Sequence, residues 1–217
     1  LDLGGYTLTC GDPTGFAVDP YVTFTIQNGT YNHTAGKDDY GTAIEGTTHG
    51  NDTATIIIAA NATVKAAWDG IGADGNTTVN VCGKIESGNV AVYGFGPTNT
   101  IKIEGAEIVA GGEAVLQAAY HETASKDRAP SNITIKDSNI NTTATNGIAI
   151  LISSNEGVAS GNHTLNVTSS EITGAHGIVV MGTNATISGD DTLVEAPDGY
   201  ALAITNNGNG DNSVGTM

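Results

Sequence analysis

Apolar and polar residues alternate along this chain in short segments, and the segments recur in a fixed order. Each unit has an apolar-x-apolar strand, a second apolar strand about five residues later, a polar turn, and a third strand often led by Gly. The clearest copies are Ile133-Thr-Ile135, Ile140 and Asn146-Gly-Ile-Ala-Ile150, followed by Leu165-Asn-Val167, Ile172 and His176-Gly-Ile-Val-Val180. A period of two puts every second side chain on one face of a strand. Ile, Val and Thr dominate these positions, and β-branched side chains suit a pleated surface. Gly, Asn and Asp punctuate the segments and supply the positive φ that tight corners need. No window carries an apolar stripe at helical spacing.

The first strand gives the anchors Leu3, Ile26, Ile58, Val81, Ile103, Ile135, Val167 and Ile187. The second gives Leu8, Tyr31, Val64, Ile85, Ile108, Ile140, Ile172 and Leu193. The third opens at Gly15, Gly41, Gly70, Asn89, Glu113, Gly147, Gly177 and Gly199. The first-strand steps run from 20 to 23 residues, with three of 32. That is a repeat of constant core with loops inserted on one side. The pattern predicts an all-β fold, a parallel β-helix or β-solenoid of about eight coils. A β-sandwich is the alternative, because it also has many short strands at regular spacing. The recurring third strand favours the solenoid. Residues 1–205 then form one solenoid domain, and the Asn- and Gly-rich residues 206–217 a flexible polar tail. A solenoid coil cannot bury its apolar face alone, so the ends of the stack are adhesive unless covered.

Composition narrows the function classes. Asp and Glu number 23 against 7 Lys and Arg, a net charge of −16. No basic patch exists to neutralise phosphate, which argues against nucleic acid as a partner. Anionic membrane surfaces are disfavoured for the same reason. The longest apolar run, residues 54–60, is far below the ~20 residues of a membrane-spanning helix, so no membrane insertion is expected. The chain opens at Leu1 inside a strand pattern and without Met, which reads as a processed or trimmed piece.

Cys10 and Cys82 fall in the first and fourth coils. Three strand spacings separate them by roughly 14 Å, and a disulfide needs Cα atoms within ~7 Å. Two readings remain: inert, buried thiols, or a bond between subunits. Asn-x-Ser/Thr occurs at Asn28, Asn32, Asn51, Asn61, Asn76, Asn132, Asn141, Asn162, Asn166 and Asn184, where the composition gives about four by chance. A glycosylated surface protein explains the excess. Corner chemistry also explains it, since Asn opens a turn and Thr starts the next strand. Either reading places the chain outside the cytoplasm, in the extracellular space or on the cell envelope.

Four constellations could carry chemistry. His176-Gly177 with Asp190-Asp191 offers paired carboxylates of the glycosidase kind, though Gly177 already belongs to the repeat. The insertion 120–129 holds the only Arg, Arg128, with His121, Glu122, Lys126 and Asp127, a mixed-charge set that could serve a lyase. Asp69 to Asn76 and Asn209 to Asn212 offer oxygen ligands to Ca²⁺ but match no calcium-loop pattern. Trp68, Tyr21, Tyr40, Tyr93 and Tyr120 could stack on sugars but are scattered among coils. A solvated loop, a corner turn or the repeat itself accounts for each, so no catalytic residue, metal site or cofactor is expected.

The opening Leu1-Asp-Leu-Gly-Gly-Tyr-Thr-Leu-Thr9, the segment Phe24-Thr-Ile-Gln-Asn-Gly-Thr30 and the Gly-Ile-Ala-Ile strand resemble right-handed parallel β-helix proteins of the pectin-lyase-like type. The resemblance covers nearly the whole chain and implies a fold without an activity; the catalytic residues of the pectinolytic members do not carry over. Few lysines with many Asn and Thr are similar to adhesin-like microbial surface proteins. Less closely, the acidic, Gly-rich composition resembles the sheath protein of filamentous methanogenic archaea, which implies a self-assembling, partly disulfide-held envelope layer. The expected function is therefore a non-enzymatic extracellular structural subunit. It joins copies of itself through strand edges into a sheath, surface layer or filament, with disulfides and glycans as added features. The alternatives are a β-helix that binds or cleaves polysaccharide, with cell-surface glycans as partners, and an adhesin stalk.

Overall fold

Each strand of the repeat pairs in parallel with the equivalent strand one coil before and one coil after, so the three strands of a coil feed three separate parallel sheets. The computed structural model describes residues 1–48, 52–95, 98–119, 131–154, 163–181, 183 and 185–205. Sheet I holds Thr23–Ile26, Thr53–Ile58, Asn76–Val81, Thr100–Glu104, Asn132–Lys136, His163–Thr168 and Ala185–Asp190. Sheet II holds Thr7–Cys10, Gly29–His33, Ala62–Ala66, Lys84–Ser87, Glu107–Ala110, Asn139–Thr142, Glu171–Thr173 and Leu193–Glu195. Sheet III holds Phe16–Val18, Thr42–Gly46, Asp69–Asp74, Val92–Phe95, Val115–Ala119, Ile148–Ser154, His176–Met181 and Leu202–Thr205. The result is an all-β parallel solenoid of eight coils, and the sandwich alternative falls away because every strand pair among the described residues is parallel.

The core is a set of straight ranks, one residue per coil. Sheet I contributes Ile26, Ile58, Val81, Ile103, Ile135 and Val167 in line. Sheet II contributes Leu8, Tyr31, Val64, Ile85, Ile108, Ile140, Ile172 and Val194. Sheet III contributes Phe16, Ile44, Ile71, Val92, Val115, Ile150, Ile178 and Leu202. In the middle coils these side chains are fully buried. Each such side chain contributes about 1.5–3 kcal/mol relative to an exposed one.

The anchors differ from the sequence reading in the end coils. Val194, not Leu193, continues the sheet II rank, and Leu193 turns outward with 54% exposure. A one-residue slip in a strand moves a side chain to the other face, and Leu193-Val194 satisfies an apolar pattern in either register. In sheet I, Ile187 lies beside Leu165, and the Val167 rank ends at Gly189. A Cβ on Gly189 would run into the Val167 carbonyl. In the first coil, Asp2 bridges to Gln27, which sets Leu1 rather than Leu3 beside Ile26. Leu3 still packs on the core.

The insertions fall on one side in two of the three long steps. Ala119 to Asn132 and Ser154 to His163 run from a sheet III strand to the next sheet I strand, whereas the earliest 32-residue step divides its extra length between His33 to Thr42, at the sheet II to sheet III corner, and Gly46 to Thr53, at the sheet III to sheet I corner. The opposite corner, from sheet I to sheet II, is tight in every coil. Gly105, Asp137, Ser169 and Asp191 turn it at φ 64, 49, 48 and 51. The residue after each is Ala106, Ser138, Ser170 or Thr192. Ser138 Oγ accepts from Ala106 N (3.2 Å) and donates to Lys136 O (2.6 Å), while Ser170 Oγ accepts from Ser138 N (3.1 Å) and donates to Thr168 O (2.8 Å). This hydroxyl ladder satisfies backbone groups that the bend takes out of the sheets.

The outward faces differ in kind. Sheet I turns out the rank Thr23, Thr55, Thr78, Thr100, Asn132, Thr164 and Thr186, and beside it Thr25, Ile57, Asn80, Lys102, Thr134, Asn166 and Ser188. Sheet II turns out charges: Lys65 bonds Glu86 at 2.8 Å, and Lys84 bonds Glu86 at 2.9 Å and Glu107 at 2.8 Å. Sheet III turns out Leu116, Leu151 and Val179 in line, the last two buried.

Candidate functional site: the two end coils

The end coils are where the repeat leaves chemistry unmet. Among the described residues, Thr7–Cys10 and Phe16–Val18 at one end have a strand neighbour on one side only. So do Ala185–Asp190, Leu193–Glu195 and Leu202–Thr205 at the other. Their free N–H and C=O groups form ready templates for a further parallel coil. Apolar side chains follow the same distribution. Of the ten exposed large apolar residues among those described, Leu1, Tyr6, Leu8, Tyr21 and Val22 lie at the first end, and Leu193, Tyr200, Leu202 and Ile204 at the last. Tyr40 alone lies elsewhere, beside the short 3-10 turn Lys37–Asp39.

Both ends are acidic without compensation. Residues 1–21 carry Asp2, Asp12 and Asp19, residues 185–205 carry Asp190, Asp191, Glu195 and Asp198, and neither stretch has a Lys, Arg or His. Asp2 accepts from Gly4 N (2.9 Å), Gln27 Nε2 (3.0 Å) and Asn28 Nδ2 (3.2 Å), and these bonds hold its carboxyl below the usual range.

The two cysteines are free. Cys10 is paired with His33 in the sheet II ladder and packs on the core at the first end. Cys82 follows the inward Val81 at the edge of sheet I, in the fourth coil as expected. Of the sequons, Asn28, Asn32, Asn61, Asn76, Asn132, Asn141 and Asn166 are described, and none is buried. Asn28 and Asn61 sit at the sheet I to sheet II corner, where Asn61 Oδ1 accepts from Asn28 N (3.1 Å). Asn51, Asn162 and Asn184 lie outside the described residues.

The remaining constellations do not assemble. His176 opens a sheet III strand and Asp190-Asp191 sits at the sheet I to sheet II corner, so they lie on different sides of the coil. His176 Nδ1 instead accepts from Tyr200 N (3.3 Å), with the two rings stacked at 5.9 Å. Asp69 to Asp74 is a strand, not a calcium loop. Asp69 Oδ1 accepts from Asn89 Nδ2 (2.8 Å) and Val90 N (3.1 Å), and burial still holds its carboxyl above the usual range. No group of three or more His, Cys, Asp or Glu among the described residues could hold a metal. The described aromatics form no platform: Lys37 covers the Trp68 ring at 5.9 Å, Tyr21 bonds Asp52 at the first end, and Tyr93 is buried. The Arg128 insertion, Tyr120 and Asn209–Asn212 lie outside the described residues.

Three features escaped the sequence reading. Tyr93 reaches across two coils, its hydroxyl 3.1 Å from Thr42 Oγ1 and donating to Glu45 Oε1 (3.3 Å). Burial raises the pKa of both the Glu45 carboxyl and the Tyr93 phenol. The path is open because the coil between them has Gly72, where a Cβ would meet the Tyr93 ring at 2.5 Å. At the sheet III to sheet I corner, Asn99, Gln117, Ser131 and His163 are buried. His163 Nδ1 accepts from Ser131 N (3.3 Å), and burial pushes its pKa down to about 4, so it is neutral at pH 7. The corner ladder of sheets I and II borders an open groove of about 860 Å³ lined by Asp137, Asn139, Glu171 and Asp191 among others.

No family model matches this chain, and no curated protein or solved structure matches it.

Proposed function

We propose that this chain is a non-enzymatic structural subunit that joins copies of itself head to tail, through its end coils, into an extracellular cell-surface polymer such as a sheath, layer or filament. The clustering of exposed apolar residues on the two end coils carries this reading. Strand direction supports it. All strands are parallel, so the edge after the last coil and the edge before the first have matching polarity. Continuing the existing register sets Val194 against Leu8, Leu202 against Phe16 and Ile204 against Val18 of the next copy. The apolar ranks thus run through the joint. Such a contact uses two different surfaces and propagates without closing, or closes into a ring if the rotation permits.

A disulfide is not part of this joint. Cys10 would stand over the residue after Glu195 of its neighbour, five coils from that copy's Cys82, or ~24 Å along the stack. The test is electron microscopy of the native material with and without reductant. Ordered filaments or hoops that survive reduction are expected. Dispersed monomers in both conditions would refute the polymer and turn attention to neutral polysaccharides as ligands of the polar groove.

A further inference from the structure

We infer that the outward face of sheet I is a lateral contact surface for a second copy of this chain, packed face to face between neighbouring filaments. The inference rests on the polymer reading above. Its basis is where the charge is not. In a chain with 23 acidic and 7 basic residues, the two central outward ranks of sheet I carry no carboxylate and a single charge, Lys102. Lys102 makes no ion pair among the described residues. Sheet II presents Glu86, Glu107, Glu171 and Glu195, and the corner between sheets I and II presents Asp137 and Asp191. The sheet III side has Glu45, Asp69 and Asp74, and its apolar rank is already buried at Leu151 and Val179. The third outward rank of sheet I holds Glu104, 3.2 Å from Lys136, and Asp190 in the last coil, so among the described residues it is through the other two ranks that two copies of so acidic a chain can approach side by side without opposing carboxylates.

Strand propensity does not explain the contrast. Thr suits any outward strand position, and the same propensity acts on sheet II, where the middle of the face is charged. The sheet I face offers hydroxyls and amides that both donate and accept, with methyl groups between them, on a flat parallel surface. Facing sheets pack ~10 Å apart, a distance that short side chains such as Thr and Asn can fill.

The size of the face fixes its role. These two ranks, seven strands by about four residues, cover roughly 450 Å² per subunit, against ~800 Å² per partner in a standard stable interface. An isolated pair of subunits is too weakly held. Subunits already joined in a filament add their lateral contacts together. Filaments therefore form first and associate sideways second.

A second consequence concerns the sequons. Asn132 and Asn166 stand on this face, their Oδ1 atoms accepting from Thr164 Oγ1 (2.7 Å) and Thr168 Oγ1 (3.1 Å). A glycan on either would hold two faces apart, so both are bare in the assembled polymer. Asn28, Asn32, Asn61 and Asn141 point to the corner or to sheet II and are free to carry glycans.

The test uses the full chain as polymer. Thr55→Glu with Thr100→Glu puts two carboxylates on the sheet I face two coils apart, and Val109→Glu with Thr173→Glu does the same on sheet II. Electron microscopy of wild type should show laterally associated filaments. The sheet I variant should show filaments of unchanged length that are separate, and the sheet II variant should associate like wild type. Lateral association retained in the sheet I variant, or wild-type filaments that never associate, would overturn the lateral surface while leaving the filament reading intact. Absence of filaments from all three would overturn the polymer reading, and this inference with it. Glycopeptide mass spectrometry of the native polymer should find Asn132 and Asn166 unmodified; a glycan on either refutes the proposal.

Discussion

The first and last coils come from one repeat and are filled differently. At the first end three aromatic rings close the cross-section: Phe16 lies 4.9 Å from Phe24 and 4.8 Å from Tyr31, and Val18 behind them is buried. At the last end the same ranks hold Val194, Leu202 and Ile204, with Leu202 40% exposed. One end is a partly sealed plug and the other an open aliphatic slot. Two unlike faces do not self-pair symmetrically, so any joint made from them is directional. The register also exposes a conflict. The apolar ranks meet across the joint, but the rank through Thr168 and Asp190 sets Asp190 against Asp2 of the next copy. Shape and hydrophobicity favour joining, and charge opposes it.

Blocking one end at a time gives the largest expected effect. Leu202→Glu with Ile204→Glu disables the last coil, and Leu8→Glu disables the first. All three positions are at least a third exposed, so the monomers should fold. Each blocked protein alone should form no filaments. Mixed, the two should pair through their intact ends into a 1:1 dimer that grows no further, read by sedimentation velocity. Filaments from either blocked protein alone would rule out a head-to-tail joint through these coils.

The middle of this architecture was legible in the sequence and the ends were not, for a physical reason. In the middle coils both neighbours constrain the register, so Ile103, Ile135, Ile108 and Ile140 have one placement that buries them. Among the described residues, the end strands have one neighbour only. Leu193 and Val194, or Leu1 and Leu3, then satisfy the alternation equally well, and corner length decides between them. The Tyr93–Glu45 contact was invisible for another reason. It joins residues 48 apart through the space above Gly72, and a lone Gly in a strand does not say which side chain will use the room it leaves. The outward ranks of sheet I needed the register too. Thr55, Thr78 and Thr100 form a rank only once the coil lengths of 23 and 22 residues bring them into line.

The plug and the slot should also differ within the monomer. Phe16→Ala removes a ring in contact with two others and should cost about 3 kcal/mol, the low end for an aromatic because Phe16 is only half-buried. Leu202→Ala takes away a side chain already 40% exposed and should cost about 1 kcal/mol or less. Urea midpoints of the two variants under dispersed conditions give the comparison directly. Equal losses would mean that the first coil is no better packed than the last.

The smallest effect tests the charge conflict at the joint. Asp190 and Asp2 are both exposed, so their repulsion is screened by salt, over ~10 Å at 0.1 M and ~3 Å at 1 M. Filament growth should therefore rise a few-fold from low to high ionic strength. Acid is a poorer way to neutralise the pair. Asp2 stays ionised below the usual carboxylate range. In the unfolded chain His163 takes up a proton near its ordinary pKa, ~6.5, whereas in the fold it does so only near pH 4, so the stack loses stability as pH falls between those values. Asp190→Lys reverses the sign at one site without touching the core. It should promote growth at low salt and turn the salt dependence around, because screening now weakens an attraction. Light scattering during assembly distinguishes the cases. If Asp190→Lys keeps the wild-type salt response, Asp190 does not face Asp2, and the two coils meet in some other register.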